Sequence, residues 1–418
     1  VAAPPAPRRT PVRERGYANS TGTSTSNWWD VVDEETPDLV WPLSVSVYDR
    51  MRRTDAQVAS VLRAITSPIV RTQWRLDGAG CDEQVTRFVA DNLGLPIVGD
   101  DEPNTTQAKL RGRDRFSWEA HLRLALLMVT FGHSFFEQVY RETEPDEFGD
   151  YKLKKLGPRL PRTIADINVA RDGGLVSVVQ WGPALGGSLG GGVTLPVNRL
   201  VAYVMDREGG NWVGQSLLRP AYKHWLLKDR SLRTWSQSID RNGIGVPFYT
   251  AAENEETLDN GLTLATAVRA GDNSGGAMPS GAKMEMKGVD GTLPDINIFV
   301  RYQDEQIARA ALGHLLNLGS QGGGQVGSYA LGATFQDVLT LGIESIAGEV
   351  RDTANPHIVE DLVDLNFGPT EPAPQIVFDP IGVKTSELDR ARDAAGLTSD
   401  VALLKFLRSI PDQTEEAS

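Results

Sequence analysis

The stretch from Ser216 to Gly243 constrains the fold of this chain more than any other. Leu218, Tyr222, Trp225, Leu232, Trp235 and Ile239 recur there at three- and four-residue spacing, which predicts one uninterrupted amphipathic helix. Ser216 is the expected N-cap, Pro220 falls in the first turn, and Asn242-Gly243 forms the expected C-cap. About 25 residues rising about 1.5 Å each make a rod of roughly 37 Å, long for a globular domain. Lys223, Lys228, Arg230, Arg233 and Arg241 outnumber Asp229 and Asp240, so the rod is basic although the chain carries a net charge of −13. Two readings stay open: the solvated face of a packing helix, or a face turned to a partner or to DNA.

At 418 residues the chain exceeds one ordinary core, so several folding units are expected. The longest apolar run, around Leu124 to Phe131, is a buried-core length, well short of the ~18 residues a membrane helix needs. The opening "VAAPPAPRRTPVRERG" has no apolar core, so no signal peptide is expected there. Cys81 is the only cysteine, which argues against an internal disulfide or a cysteine-cluster metal site and points to a reducing, intracellular place of assembly. The acidic balance argues against tight DNA binding, yet suits a surface past which DNA moves without sticking.

Residues 1–29, rich in Pro, Ser, Thr and Gly, read as an extended or disordered arm. "SVYDRMRRTDAQVASVLRAITSPIV" reads as one amphipathic helix between Trp41 and Trp74, with Val58, Val61, Leu62 and Ile65 on one face; "TQWRLDG" follows as a strand. Helices are expected at Asp82–Leu93 and Trp118–Val129, and strands at Ser134–Arg141, Lys152–Leu156, Ile167–Arg171, Leu175–Trp181 and 199–206, with a glycine-rich hairpin tip or loop at 182–196. This is an α+β order rather than a regular βαβ alternation. A strand–helix–strand insert occupies roughly 245–292, and a second long helix is expected at about Tyr302–Asn317. A third begins near Thr334 or Phe335, must kink or break at Pro356, and resumes through "IVEDLVDLN". The tail opens with Pro-rich "GPTEPAPQIVFDPIG" and ends in a short helical pair.

Between the second and third of these long helices lies "NLGSQGGGQVGSYALG". It cannot be a P-loop, because Gly327 is followed by Ser328-Tyr329 and no Lys occurs between Gln303 and Lys384 to reach a phosphate. Nor does a strand precede it, as a dinucleotide fingerprint requires. His121, His133, His224, His314 and His357 are scattered without ligand spacing, and no G-x-S-x-G occurs. No metal, no cofactor and no enzymatic activity are expected.

Several segments in order resemble the portal proteins of tailed bacteriophages, in the form of the Mu-like group. "GHSFFEQVYRE" resembles the wing strand preceded by a Gly, and "GQSLLRPAYKHWLLKDR" is similar to the stem helix led by Gly-x-Ser. "ARAALGHLLN", the glycine loop with "GSYALG", and "DLVDLNFG" followed by Pro complete the series over residues 45–368. The resemblance implies an α+β portal-type subunit with a wing at 30–215, stem helices at 216–242 and 298–317, and a β-α-β clip at 243–297. It further implies a tunnel loop at 318–333, a long wing helix at 334–368 and a wing return or crown at 369–418, a small helical region. Gly319, Ser320, Gln321, Gly322, Gly323, Gly324, Gln325, Gly327, Ser328 and Tyr329 would line the DNA channel. Lys223, Lys228, Arg230 and Arg233 would face the channel or neighbouring subunits, and Glu253, Glu255 and Glu256 of the clip would face the motor or adaptor. The implied assembly is a homo-oligomeric ring of about twelve subunits at the capsid vertex of the virion, assembled in the host cytoplasm. Its implied partners are the terminase large subunit, the major capsid protein and a head-completion adaptor, with double-stranded DNA passing without sequence specificity and no membrane. Another ring-forming connector, adaptor or baseplate protein is the alternative.

Overall fold

The computed structural model describes residues 34–99, 116–144, 148–182, 192–244, 246–253, 257–268, 277–287, 295–312 and 328–381. The chain divides into two compact units, one formed by Val1–Arg219 with Leu318–Ser418 and the other by Pro220–Asn317.

In the first unit, α1 (Leu43–Thr54) and α2 (Ala56–Arg71) replace the single helix expected before Trp74. The break is local. Asp55 takes an extended backbone and its carboxylate accepts hydrogen bonds from the Gln57 and Val58 N–H groups, at 2.8 and 3.1 Å, capping α2. Val58, Val61, Leu62, Ile65 and Ile69 of α2 are buried, as their spacing requires. β1 (Trp74–Asp77) and α3 (Glu83–Leu93) follow; Gly94 closes α3 in the left-handed conformation. The helix expected at Trp118–Val129 is divided at Leu126 into α4 (Trp118–Ala125) and α5 (Leu127–Phe131).

β2 (His133–Glu142) is the centre of this unit. It pairs antiparallel with β3 (Tyr151–Arg159) on one side and, after a second sheet, with β7 (Leu200–Val204) on the other. The second sheet is β4 (Ile164–Val169), β5 (Leu175–Gln180) and β6 (Val193–Pro196) in that order. Side chains alternate across a strand, so the adjacent and fully buried Phe135 and Phe136 show that both faces of β2 are covered. Phe135 joins Ile164, Leu175, Val178, Leu195 and Leu200 in one core cluster. On the other face, Phe136 meets the rings of His121 and Tyr203 at centroid distances of 4.4 and 5.7 Å.

α9 (Ser328–Ala354), a π-helical turn at Asn355–Glu360 and α10 (Asp361–Phe367) return to the same unit. Pro356 interrupts the α-helix as expected, and the widened turn absorbs its missing N–H. That turn also holds β10 (Gln375–Phe378). The Asn355 side chain accepts from Ile376 N–H at 2.7 Å and donates to Ile376 O at 3.3 Å. β10 pairs antiparallel with β1, Trp74 opposite Phe378, with their ring centroids 5.0 Å apart. Nearby, the Asn366 carboxamide oxygen accepts from both Asp150 and Tyr151 N–H at 2.8 Å, fastening α10 to the start of β3.

The second unit contains α6 (Tyr222–Ile244), β8 (Val246–Thr250), α7 (Asp259–Ala267), β9 (Lys283–Lys287) and α8 (Ile296–Leu312). β8 and β9 form a two-stranded antiparallel sheet, so the expected strand–helix–strand insert is present between two helices. α8 starts six residues ahead of the expected Tyr302, because the Asp295 carboxylate accepts from Asn297 N–H at 2.9 Å and starts the helix there. Of the expected hairpin tip or loop at 182–196, residues 183–191 lie outside the described residues and Val193–Pro196 form β6 instead. The helical pair of the tail and the last five residues of the second long helix also lie outside the described residues.

Candidate functional site

Two of the sequence motifs meet at the place where the chain leaves the first unit. Gly132 terminates α5 with φ +87° and Gly214 turns the chain with φ +66°. Their backbones lie against each other: a Cβ on Gly214 would fall 2.4 Å from Gly132 O and 2.7 Å from Met205 O. A Cβ on Gly132 would fall 2.5 Å from Val213 O. The carbonyls in the way are already occupied, Gly132 O by Met205 N–H at 2.9 Å and Met205 O by Gln215 N–H at 3.0 Å. His133 adds its Nδ1–H to Val213 O at 2.9 Å, and Leu217 N–H donates to Val129 O at 3.1 Å. The Gly before the β2 strand and the Gly-x-Ser before the long helix are thus two halves of one close-packed crossing.

Ser216 belongs to this crossing and is not the N-cap of α6. Its hydroxyl donates to Thr130 O and accepts from Leu218 N–H, 3.1 Å away. Arg219 N–H turns back to Ser216 O, Pro220 has no N–H to offer, and the ladder of α6 begins with Trp225 N–H to Ala221 O. The helix accordingly starts at Tyr222 and runs to Ile244, two residues past the Asn242 end of the expected rod. Arg219 is held by Glu34, with Nη2 donating to Oε1 at 2.8 Å. Burial pushes the Glu34 carboxyl up, but hydrogen bonds from Arg219 and Thr36 and the Arg219 charge outweigh it and hold the group below its ordinary value.

Along α6 the four cations named from the sequence have different fates. Lys228 is buried and forms an ion pair with Asp304 of α8, Nζ to Oδ1 2.6 Å. Beside it, His224 Nδ1 meets the Gln303 carboxamide oxygen at 2.7 Å, with Gln303 buried. These two contacts fasten α6 to α8 within the second unit, so Lys228 has a partner within its own chain. Lys223, Arg230 and Arg233 are exposed, and Arg233 pairs with Asp229 one turn earlier at 2.9 Å. Leu226, Leu227, Leu232 and Ile239 on α6 are exposed as well, together with Ile298, Phe299 and Tyr302 on α8. Among the described residues, these long helices therefore expose several large apolar side chains.

Glu253 is exposed in the turn after β8; Glu255 and Glu256 lie outside the described residues. So do Gly319, Ser320, Gln321, Gly322, Gly323, Gly324, Gln325 and Gly327. Ser328 and Tyr329 open α9, six residues ahead of the expected helix start, because Ala330, Leu331 and Ala333 are good helix formers with no proline between them.

Among the described residues no group of three or more His, Cys, Asp and Glu side chains is gathered to hold a metal ion, and no helix is long and apolar enough to cross a membrane. Burial pushes His121 down to about 3 and His133 down to about 4, although the His133 bond to Val213 O works the other way, so both rings are neutral core residues. Sequence reading missed Glu349 on α9. Burial, then the charges of Asp206 and Asp352, push its carboxyl up to about 7, and its Oε2 is buried with no hydrogen-bond partner among the described residues. An unfolded chain loses this proton near 4.5, whereas the fold keeps it until about 7. The folded state therefore binds the extra proton in that window, and stability falls as pH rises through it. Glu349→Gln is expected to stabilise the chain by about 2 kcal/mol at pH 8 and to change nothing at pH 4, as measured by urea unfolding at both pH values.

Solved structures with the same fold exist at low identity. The neck of a native gene transfer agent (GTA) particle, computed with C12 symmetry, superposes with a TM-score of 0.50 at 13% identity, covering 84% of this chain and 89% of that one. The neck of an empty GTA particle, computed with C6 symmetry, has the same values. A HK97 family phage portal protein from Corynebacterium diphtheriae matches at a TM-score of 0.43 and 14% identity, over 80% of this chain and 94% of its own. The family model described as the portal protein of Mu bacteriophage matches residues 45–403, most of the chain and every element from α1 to β10, and the chain belongs to that family of portal proteins.

Proposed function

We propose that the chain is the repeating subunit of a ring of about twelve copies at the capsid vertex of a virion, through which double-stranded DNA is packaged and ejected. It would act as a structural connector and not as an enzyme. The observation that supports the ring is the set of exposed apolar side chains on α6 and α8 among the described residues. Leu232, Ile239, Ile298 and Phe299 are each more than two-fifths exposed, and such a set is the mark of an interface. The C12 symmetry named for the GTA neck supports the number twelve. In this reading α6 and α8 are the stem, the β8–α7–β9 insert is the clip, the segment that precedes α9 reaches into the channel, and the first unit is the wing. Terminase, an adaptor and the major capsid protein are the partners such a connector would meet.

The acidic balance fits DNA in transit. Twelve copies at −13 place on the order of −150 charges on the ring, which opposes stable DNA binding and favours sliding. Negative-stain images of purified protein should show rings with a central hole, and a dimer with two-fold symmetry would overturn the reading. Leu232→Glu with Ile239→Glu should abolish rings in mass photometry and leave thermal unfolding of the subunit within about 1 kcal/mol of wild type, because both residues are exposed in the single chain.

A further inference from the structure

The first unit has a basic groove to which the proposed function assigns no role. It lies between α2 and the α4–α5 pair and encloses about 490 Å³. Arg52, Arg53, Arg63, Arg71 and Arg123 line it, with no carboxylate among the lining residues. Its floor is apolar: Leu62 and Leu126 are buried there, and Val70 and Leu127 half-buried. Five guanidinium groups around one concavity stand out in a chain of net charge −13.

The arginines fall into two kinds. Arg52 and Arg53 both bind Asp49, at 2.6 and 2.9 Å, and Arg52 also lies over the Phe131 ring, 5.3 Å from its centroid. Arg123 pairs with Glu119 at 2.6 Å. Arg63 and Arg71 make no ion pair among the described residues and stand exposed two turns apart on the same face of α2. A concave surface focuses the field of such charges.

We propose that this groove docks an acidic segment of a partner protein, with carboxylates on Arg63 and Arg71 and an apolar side chain seated on Leu62, Val70 and Leu127. Arginine forks match carboxylates in bidentate geometry, and arginine clusters are a recurrent reader of acidic motifs. The apolar floor decides between the two anionic polymers. Duplex DNA presents phosphates without apolar groups able to enter a pocket of this size, so it would leave the floor uncovered, whereas a peptide with Leu or Phe between acidic residues covers both.

The test uses the full chain and fluorescence anisotropy with three labelled probes: a twelve-residue peptide carrying six glutamates and three leucines, the same peptide with lysine for glutamate, and a 20-base-pair duplex. The glutamate peptide should bind saturably, and at least about tenfold tighter than either other probe at 0.1 M salt. Arg63→Glu with Arg71→Glu should weaken it at least about tenfold, whereas Arg63→Lys with Arg71→Lys should weaken it by less, because the charge stays while the bidentate fork is lost. No saturable binding of the glutamate peptide, tighter binding of the duplex, or an affinity indifferent to charge reversal would each overturn the proposal.

Discussion

Replacing Gly214 by alanine should destabilise the first unit by more than about 3 kcal/mol, a large part of the ~5–15 kcal/mol that holds a domain together. Two effects combine. A side chain at φ +66° is strained by roughly 1–3 kcal/mol whatever surrounds it. The new Cβ would also enter the space of Gly132 O, 2.4 Å away, and Met205 O, 2.7 Å away. Neither is the end of a flexible side chain; both are backbone carbonyls that accept hydrogen bonds from Met205 and Gln215. Relief therefore requires moving α5, the end of β7 and the approach to α6 together. Gly94→Ala is the control, with nearly the same φ, +67°, but open space around it. It should lose only about 1 kcal/mol. Urea unfolding of both variants separates steric closure from backbone strain, and equal losses would show that the crossing of Gly132 and Gly214 is not closely packed.

Converting Gly322, Gly323 and Gly324 to lysine should stall DNA packaging while leaving ring assembly unchanged. No Lys or Arg occurs between Arg309 and Arg351, so on the proposed reading the segment offers no cationic side chain to a phosphate. In a ring of twelve, three lysines per subunit would add ~36 positive charges to the channel, enough to release condensed counterions and bind DNA tightly. Packaging measured by protected DNA should drop at least about tenfold at low salt and recover in part as salt rises, because electrostatic retention is salt-dependent. Loss of rings in the variant would make the loop a structural element. Unchanged packaging would place it away from the DNA.

Much of the architecture is legible in local sequence, and the misses have physical causes. The α2 stripe, the β2 strand, the β8–α7–β9 insert and the long helix were all readable, because periodic burial imposes a pattern on neighbouring residues. Boundaries failed where a polar side chain chose its partner. Asp55 caps α2 and splits an apparently continuous helix, Asp295 starts α8 early, and Ser216 serves the Gly132 crossing instead of α6. Each of these residues has the right chemistry for more than one role, and only its neighbours in space decide which. Pro356 was correctly read as a disturbance, yet the widened turn that absorbs it also places Asn355 against Ile376.

Sequence alone determined most of the order of elements and the basic long helix in an acidic chain, since composition and periodicity are properties of contiguous residues. Tertiary structure decided what joins them. β1 finds its partner in β10, with Arg75 and Asp379 paired across 304 positions of sequence. Lys228, one of five cations along α6, is buried against Asp304. Two loosely conforming glycine motifs proved to be a single contact of backbones. Such facts depend on which surfaces meet, and hydrogen bonds and excluded volume between distant segments leave no periodic trace in the chain.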